Sequence, residues 1–218
     1  MGNEPKLWKV PKLWPDATCF ILGGGPSLNN VDIDRLRGSR VIAVNNAYQL
    51  ADWIDVVFFG DCRWYHIHKK RLLDFAGLKV TRCERHCREP GILAIKCMNR
   101  VNGLSKNPSL LAWNLSSGAC AINLATLLGV KKIVLLGFDM RKIEQRNNWH
   151  HDHPGSDNPK HNPYIRFLRC FPAIAKSLHG LNVECINATP DSALTDFPIV
   201  DPETVLPEKK EICDLSVS

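Results

Sequence analysis

No apolar run in this chain approaches the ~20 residues that span a bilayer, and the opening Met-Gly-Asn-Glu-Pro-Lys lacks the apolar centre of a secretory leader. Lys6 stands where a myristoylation signal carries Ser or Thr, so that anchor is not expected either. A cytoplasmic protein is therefore expected. There is no internal repeat and no low-complexity tract, which argues against solenoids and disordered tails as the main architecture. No Gly-Lys-Ser/Thr follows a glycine loop, and no full G-x-G-x-x-G occurs, so neither standard phosphate-loop signature is available. Paired zinc knuckles are missing as well: the nine cysteines are scattered and odd in number, a poor disulfide framework. Cys83-Glu-Arg-His86-Cys87, with Cys97 downstream, has a zinc-like flavour without standard spacing, and reads as free thiols.

What is present describes a globular α/β chain. Its 218 residues suit one domain, and 44% hydrophobic with 23% charged content fills one sizeable core. The net charge of +6 favours anionic ligands such as nucleotides and tolerates nucleic acid. Lys69-Lys70-Arg71 and Arg82, Arg85 and Arg88 cluster, in the manner of solvated faces.

Strand-like and helix-like runs alternate. Cys19–Leu22, Val41–Val44, Val56–Phe59, Leu78–Thr81, Ile92–Lys96, Lys132–Leu136 and Val183–Asn187 read as strands. Helices are expected near Asp32–Arg37, over Cys62–Phe75, over Ala119–Leu128 behind a Ser116-Ser117-Gly118 cap, and over Tyr164–His179. Residues 99–115 read as an irregular excursion. The pattern predicts a Rossmann-like, doubly wound, mostly parallel sheet with helices on both faces. The expected layout is an N-terminal arm over 1–13, one nucleotide-binding domain over 14–198 and a loose tail over 199–218. A His-rich loop over 140–163 interrupts that domain.

In such sheets ligands bind beyond the carboxyl ends of the strands. Polar or glycine residues stand at those ends here: Gly23, Gly24, Gly25, Pro26 and Ser27; Asn45; Asp61; Asp139; and Asn187-Ala188-Thr189. Successive amides of a glycine turn, like those at the start of the Ser116-Ser117-Gly118 helix, hold phosphate well. The same turn serves equally as a plain strand-to-helix connection. Asp61 and Asp139 accept a ribose hydroxyl or hold Mg²⁺ in one reading, and cap or turn in the other. Trp64, Trp113 and Trp149 either stack on a ligand or pack. His150, His151, Asp152 and His153, with His161 beyond, form the densest titratable cluster, suited to general acid–base work, to a metal, or to nothing but solvent.

Gly-Gly-Gly-Pro-Ser-Leu at 23–28, Val44-Asn45-Asn46, and Ser117-Gly118-Ala119-Cys120-Ala121 leading into Lys132-Ile-Val-Leu-Leu-Gly-Phe-Asp139 resemble two related groups. One is the bacterial sialyltransferases that use CMP-linked sialic acid. The other is the MptE-like hydroxymethylpterin diphosphokinase family, with its many phage and prophage proteins. Trp149-His-His-Asp-His-Pro154 is especially similar to the phage-type members, for which the compartment would be the host cytoplasm. The resemblance implies that the Gly23–Ser27 loop, Asn45 and Ser117-Gly118 line a nucleotide site, and that His153 matches the histidine base. Two departures stand out. Gly24 replaces an Asn, and Met140-Arg141-Lys142 follows Asp139 where the sialyltransferases carry phosphate-touching tyrosines.

The leading expectation is thus a glycosyltransferase moving a sugar from a nucleotide-linked donor to a hydroxyl of a glycan or small molecule. His153 would be its base, with His150, His151 and Asp152 around it. The alternative is Mg²⁺-dependent diphosphate transfer from ATP to an alcohol, with Asp61 and Asp139 holding the metal. A non-catalytic phage protein binding nucleotide or DNA is the third reading.

Overall fold

The computed structural model describes residues 7–86, 88–98, 103–143, 146–150 and 162–209. Its centre is a seven-stranded sheet built from β1 (Thr18–Leu22), β2 (Arg40–Val44), β3 (Val56–Phe59), β4 (Leu78–Thr81), β5 (Ile92–Ala94), β8 (Lys132–Leu136) and β9 (Glu184–Asn187). The strands run in the order β5-β4-β3-β2-β1-β8-β9, and every neighbouring pair is parallel. The chain winds outward from β1 in one direction and then crosses to β8 on the other side. The β1/β8 junction is therefore the topological switch point, where a ligand crevice opens.

Strands buried on both faces explain the apolar runs. Cys19, Ile21, Ile42, Val44, Val56, Phe58, Ile133 and Leu135 face one core, which α2 (Ser117–Leu128) and α4 (Phe171–Gly180) cover. Their neighbours Phe20, Leu22, Val41, Ala43, Val57, Phe59, Val134 and Leu136 face the opposite core, with Trp64, Tyr65 and Leu72 of α1 (Cys62–Leu73). The period-two alternation of the pleat thus divides the hydrophobic residues between two layers. The α/β architecture read from the sequence is the one observed. Among the described residues no helix is long and apolar enough to cross a membrane.

Several boundaries differ from expectation, each for a local reason. The run Ile92–Lys96 divides after Ala94: Ile95 donates its amide to Thr81 O, and β6 (Lys96–Met98) leaves to pair with β7 (Leu110–Ala112) in a separate two-stranded sheet. A strand therefore lies inside the stretch expected to be irregular. The single helix expected over Tyr164–His179 is two, α3 (Tyr164–Leu168) and α4, because Pro172 has no amide to give the preceding turn and sits instead in the first turn of α4. The helix near Asp32–Arg37 is one 3-10 turn, Ile33–Leu36.

The tail also needs correcting. Over 199–209 it is docked rather than loose: Val200 donates to Asn187 O, Leu206 is buried, and Arg35 binds Glu203 and the carbonyls of Leu206 and Pro207. Proline-punctuated sequence without periodicity hides this docking, because its contacts are scattered: backbone groups, the Glu203 carboxylate, and Val200, Val205 and Leu206 against the core.

Candidate active site

A cavity of about 1100 Å³ opens at the carboxyl ends of β1, β2, β3, β4 and β8. Gly23, Gly24 and Gly25, Asn45, Asp61, Arg82, the Ser116-Ser117-Gly118 helix start, Asp139 and His150 all contribute to its wall. The structure thus gathers most of the residues singled out from sequence into one place.

The glycine loop is held from beneath. Gly23 donates to Leu136 O at 2.7 Å and Gly25 to Gly137 O at 2.8 Å, which stitches the loop to the end of β8. Asp139 lies directly behind Gly25, where an added Cβ would collide with its carboxylate. Ser27 donates to that carboxylate through both its hydroxyl, at 2.8 Å, and its amide, at 3.3 Å. Glycine at 25 is therefore required by Asp139 and not by conformation. Burial holds the Asp139 carboxyl above the ordinary carboxylate range, and the two Ser27 bonds oppose that shift. Asp139 organises the loop.

The Gly137-Phe138-Asp139 turn is anchored from the far side. Thr189 Oγ1 accepts the Phe138 amide at 3.1 Å, and the Ser192 hydroxyl donates to Phe138 O at 2.6 Å. Asn187 and Thr189, at the end of β9, are fully buried, and Asn187 Nδ2 donates to Leu194 O while Thr189 holds the turn. Their polarity was legible, but it supports the turn and does not face the cavity.

The start of α2 presents a second set of amides. Ser116 caps it, its hydroxyl accepting the Ala119 amide at 3.1 Å. Ser117 and Gly118 then expose first-turn N–H groups at the positive end of the helix. Gly118 is required by Phe138, whose ring a Cβ would meet at 2.8 Å. Asp61 caps α1, accepting the Arg63 amide at 2.8 Å, so the capping reading of Asp61 is the one the geometry displays.

Backbone strain concentrates at this cavity. Of the six non-glycine residues with positive φ among the described residues, Asn45 (φ 51°), Leu115 (φ 63°) and Met140 (φ 50°) lie on its wall. Each left-handed residue costs roughly 1–3 kcal/mol and persists where the surroundings enforce it. Asn45 also carries a buried Oδ1 with no hydrogen-bond partner.

The residue that sequence reasoning missed is Arg82. It leaves the end of β4 and stacks its guanidinium on Trp113, 3.7 Å from the ring centroid. Its Nε is buried with no hydrogen-bond partner, and no carboxylate pairs with it among the described residues. In sequence it stands in a cluster of arginines and reads as surface. The available signal was its position directly after a strand, like the other site residues. Trp113 thus has a ring in the site. Trp64 is buried in the core, and Trp149 packs against the same layer.

The histidine loop is tied to the glycine loop. The Trp149 amide donates to Gly24 O at 2.9 Å, and the Asn148 side chain fills the space beside Gly24. His150 Nδ1 lies 3.2 Å from Asn46 Nδ2, and Asn46 in turn accepts from Trp64 Nε1. One imidazole of the cluster is therefore held in an oriented position at the cavity wall. His151, Asp152, His153 and His161 lie outside the described residues.

No family model matches the chain, and no curated protein matches it by sequence. Solved structures do resemble it. The monofunctional α-2,3-sialyltransferase Cst-I of Campylobacter jejuni superposes with a TM-score of 0.56 at 19% identity, covering 96% of this chain and 87% of that one. An α-2,3-sialyltransferase of the same organism in apo form gives 0.52 at 18% identity, over 94% and 88% of the two chains. The sialyltransferase CstII of Campylobacter jejuni, in complex with cytidine-5'-monophosphate, gives 0.53 at 15% identity, over 90% and 89%. At such identities the likeness establishes the fold. This chain has the doubly wound architecture of those sialyltransferases.

Proposed function

We propose that this protein is a glycosyltransferase that uses a nucleotide-linked sugar, with sialic acid on CMP as the specific donor. One observation carries the reading. The glycine loop, the amides opening α2 and Arg82 converge on a single cavity at the switch point of a sheet shared with CMP-binding sialyltransferases. At about 1100 Å³ the cavity lies just above the roughly 300–1,000 Å³ common for small-molecule sites.

The chemistry follows from the placement. The donor phosphate lies against the Gly23–Gly25 loop and the Ser117-Gly118 amides, which offer hydrogen bonds without a compensating positive side chain. Arg82, fixed on Trp113, supplies the cation. As the bond from anomeric carbon to phosphate oxygen breaks, the electron pair leaves with the nucleotide, and the nearby donors stabilise the growing charge. The acceptor hydroxyl oxygen forms the new bond, and its proton passes to an imidazole. His150, oriented by Asn46, is the described member of the cluster that faces this cavity. His153 is the base that the family resemblance implies, with His151 and Asp152 beside it. Diphosphate transfer draws less support, since Asp61 is engaged as a cap and Asp139 by Ser27.

The test is calorimetric and thermal-shift titration of the whole chain with CMP, CDP, UDP, GDP, ADP and ATP, with and without Mg²⁺. Metal-independent binding of CMP or CDP is expected, and Arg82→Ala should weaken it by about 10–100-fold, the worth of a charged hydrogen bond. Binding confined to ATP or ADP with Mg²⁺ would move the assignment to diphosphate transfer. Silence across the panel, with retention on DNA, would overturn the enzyme reading altogether.

A further inference from the structure

A cluster of soft donors beside the cavity is unused by the proposed transfer. Cys62 opens α1, Cys83 lies just past β4, and His86 ends the 3-10 turn Glu84–His86. Their ligand atoms all fall within 4.8 Å of one another. Cys83 and His86 are 7% and 5% exposed, and Cys62 is half-buried. His86 Nε2 is buried with no hydrogen-bond partner, an arrangement that costs free energy unless something else accepts or supplies a bond there. Neither cysteine is in a disulfide. Two chain segments, the start of α1 and the stretch from Cys83 to His86, therefore bring two sulfurs and an imidazole to one point.

We propose that Cys62, Cys83 and His86 bind a borderline-soft divalent cation, of which Zn²⁺ is the best chemical match. Two thiolates and an imidazole are the donor set such an ion selects, and hard cations such as Mg²⁺ and Ca²⁺ do not. A tetrahedral zinc places its sulfur and nitrogen ligands roughly 3.5–3.8 Å apart, given metal–ligand bonds of about 2.0–2.3 Å. The cluster, spread over at most 4.8 Å, contracts to that spacing by small side-chain rotations. Binding exchanges two thiol protons for the ion, so the buried group becomes a neutral thiolate–metal unit. The ion ties the start of α1 to the end of β4, the two segments that carry Asp61 and Arg82 into the cavity wall. The site does not depend on the transfer reading, since its donors are outside the phosphate-binding set.

The experiment uses the full chain, reduced and freed of metal with a chelator, titrated first with Co²⁺ and then with Zn²⁺. Tetrahedral thiolate-bound Co²⁺ has intense visible and near-ultraviolet absorption. The expected result is that this spectrum saturates at about one ion per chain, with about two protons released, and is abolished by stoichiometric Zn²⁺. Cys62→Ser and Cys83→Ser should lose the spectrum, and Cys170→Ser should keep it. A second readout on the unaltered chain removes any doubt about folding of the variants. Zn²⁺ should slow alkylation of Cys62 and Cys83, mapped by peptide mass, by about tenfold or more, as thiolates held by metal lose nucleophilicity. Absence of the thiolate–Co²⁺ spectrum would overturn the proposal. So would alkylation of Cys62 and Cys83 at the same rate with and without Zn²⁺.

Discussion

Asp139 shows how a residue read as a ligand becomes a framework element once its neighbours are seen. Its position after β8, its type and its companion glycines all suggested direct contact with a nucleotide or Mg²⁺. The structure places it under Gly25 with Ser27 on both oxygens, where it shapes the loop that would do the binding. A carboxyl held above its ordinary value by burial binds protons more tightly in the folded than in the unfolded state. Its protonation therefore favours the fold, and stability falls as pH rises from the ordinary carboxylate value through the raised folded one. Asp139→Asn should remove that component. Urea midpoints measured across the acid range should drop with rising pH more for the wild type than for the variant. Equal slopes would mean that the Ser27 bonds cancel the effect of burial, and a reversed slope that they outweigh it. No reading of one sequence could have supplied Ser27 as the partner, since 112 residues separate the two.

Among the elements, α2 was the most legible and β7, inside a stretch that reads as irregular, the least. The Ser-Ser-Gly signal before a mostly apolar run placed the cap of α2, and Ser116 occupies it with a 3.1 Å bond to the Ala119 amide. Ser116→Ala should cost about 1 kcal/mol of stability, the usual worth of an N-cap. It should also weaken nucleotide binding, because fraying of the first turn misaligns the Ser117 and Gly118 amides. Thermal melts with and without CMP separate the two effects. The strands were legible because burial on both faces forces near-continuous apolar runs, and the site was legible where it coincides with their ends. Arg82 escaped because neighbouring arginines at 85 and 88 gave it an ordinary surface context. The cluster at 83–87 was noticed but lacked Cys62, which the parallel pairing of β3 with β4 brings alongside. The docked segment over 199–209 escaped for a similar reason: its partners, Arg35 in the 3-10 turn between β1 and β2 and Asn187 at the end of β9, are distant in sequence. Terminating the chain after Pro198 should lower stability by at least ~2 kcal/mol, the burial of Leu206 alone. Chemical denaturation measures it, and an unchanged midpoint would mean that the segment contributes nothing to the fold.

Across the whole molecule the charge of +6 leaves two routes by which an anion could be held, and they differ in their response to salt. Arg63 and Arg85 reach the cavity from exposed positions, where added ions screen them. Arg82 is half-buried against Trp113, so its field is cut off from solvent on one side. The screening length falls from about 10 Å at 0.1 M to about 3 Å at 1 M ionic strength, which suppresses distant attraction but spares contact between a sheltered guanidinium and a phosphate. Backbone amides of the glycine loop and of α2 carry no net charge and are spared as well. If these two sources dominate, CMP affinity should weaken by less than about tenfold over that range, and Arg82→Ala should cost more than the salt does. The variant should retain the modest salt dependence of the wild type, since Arg63 and Arg85 remain. A duplex or single-stranded polyanion spread over exposed lysines and arginines would behave otherwise, losing about 10³-fold or more across a comparable range. Titration of CMP at the two ionic strengths, for the wild type and Arg82→Ala, distinguishes a built phosphate site from a diffuse basic surface. A steep dependence that Arg82→Ala leaves unaltered in both slope and affinity would assign binding to the exposed arginines and remove Arg82 from the site.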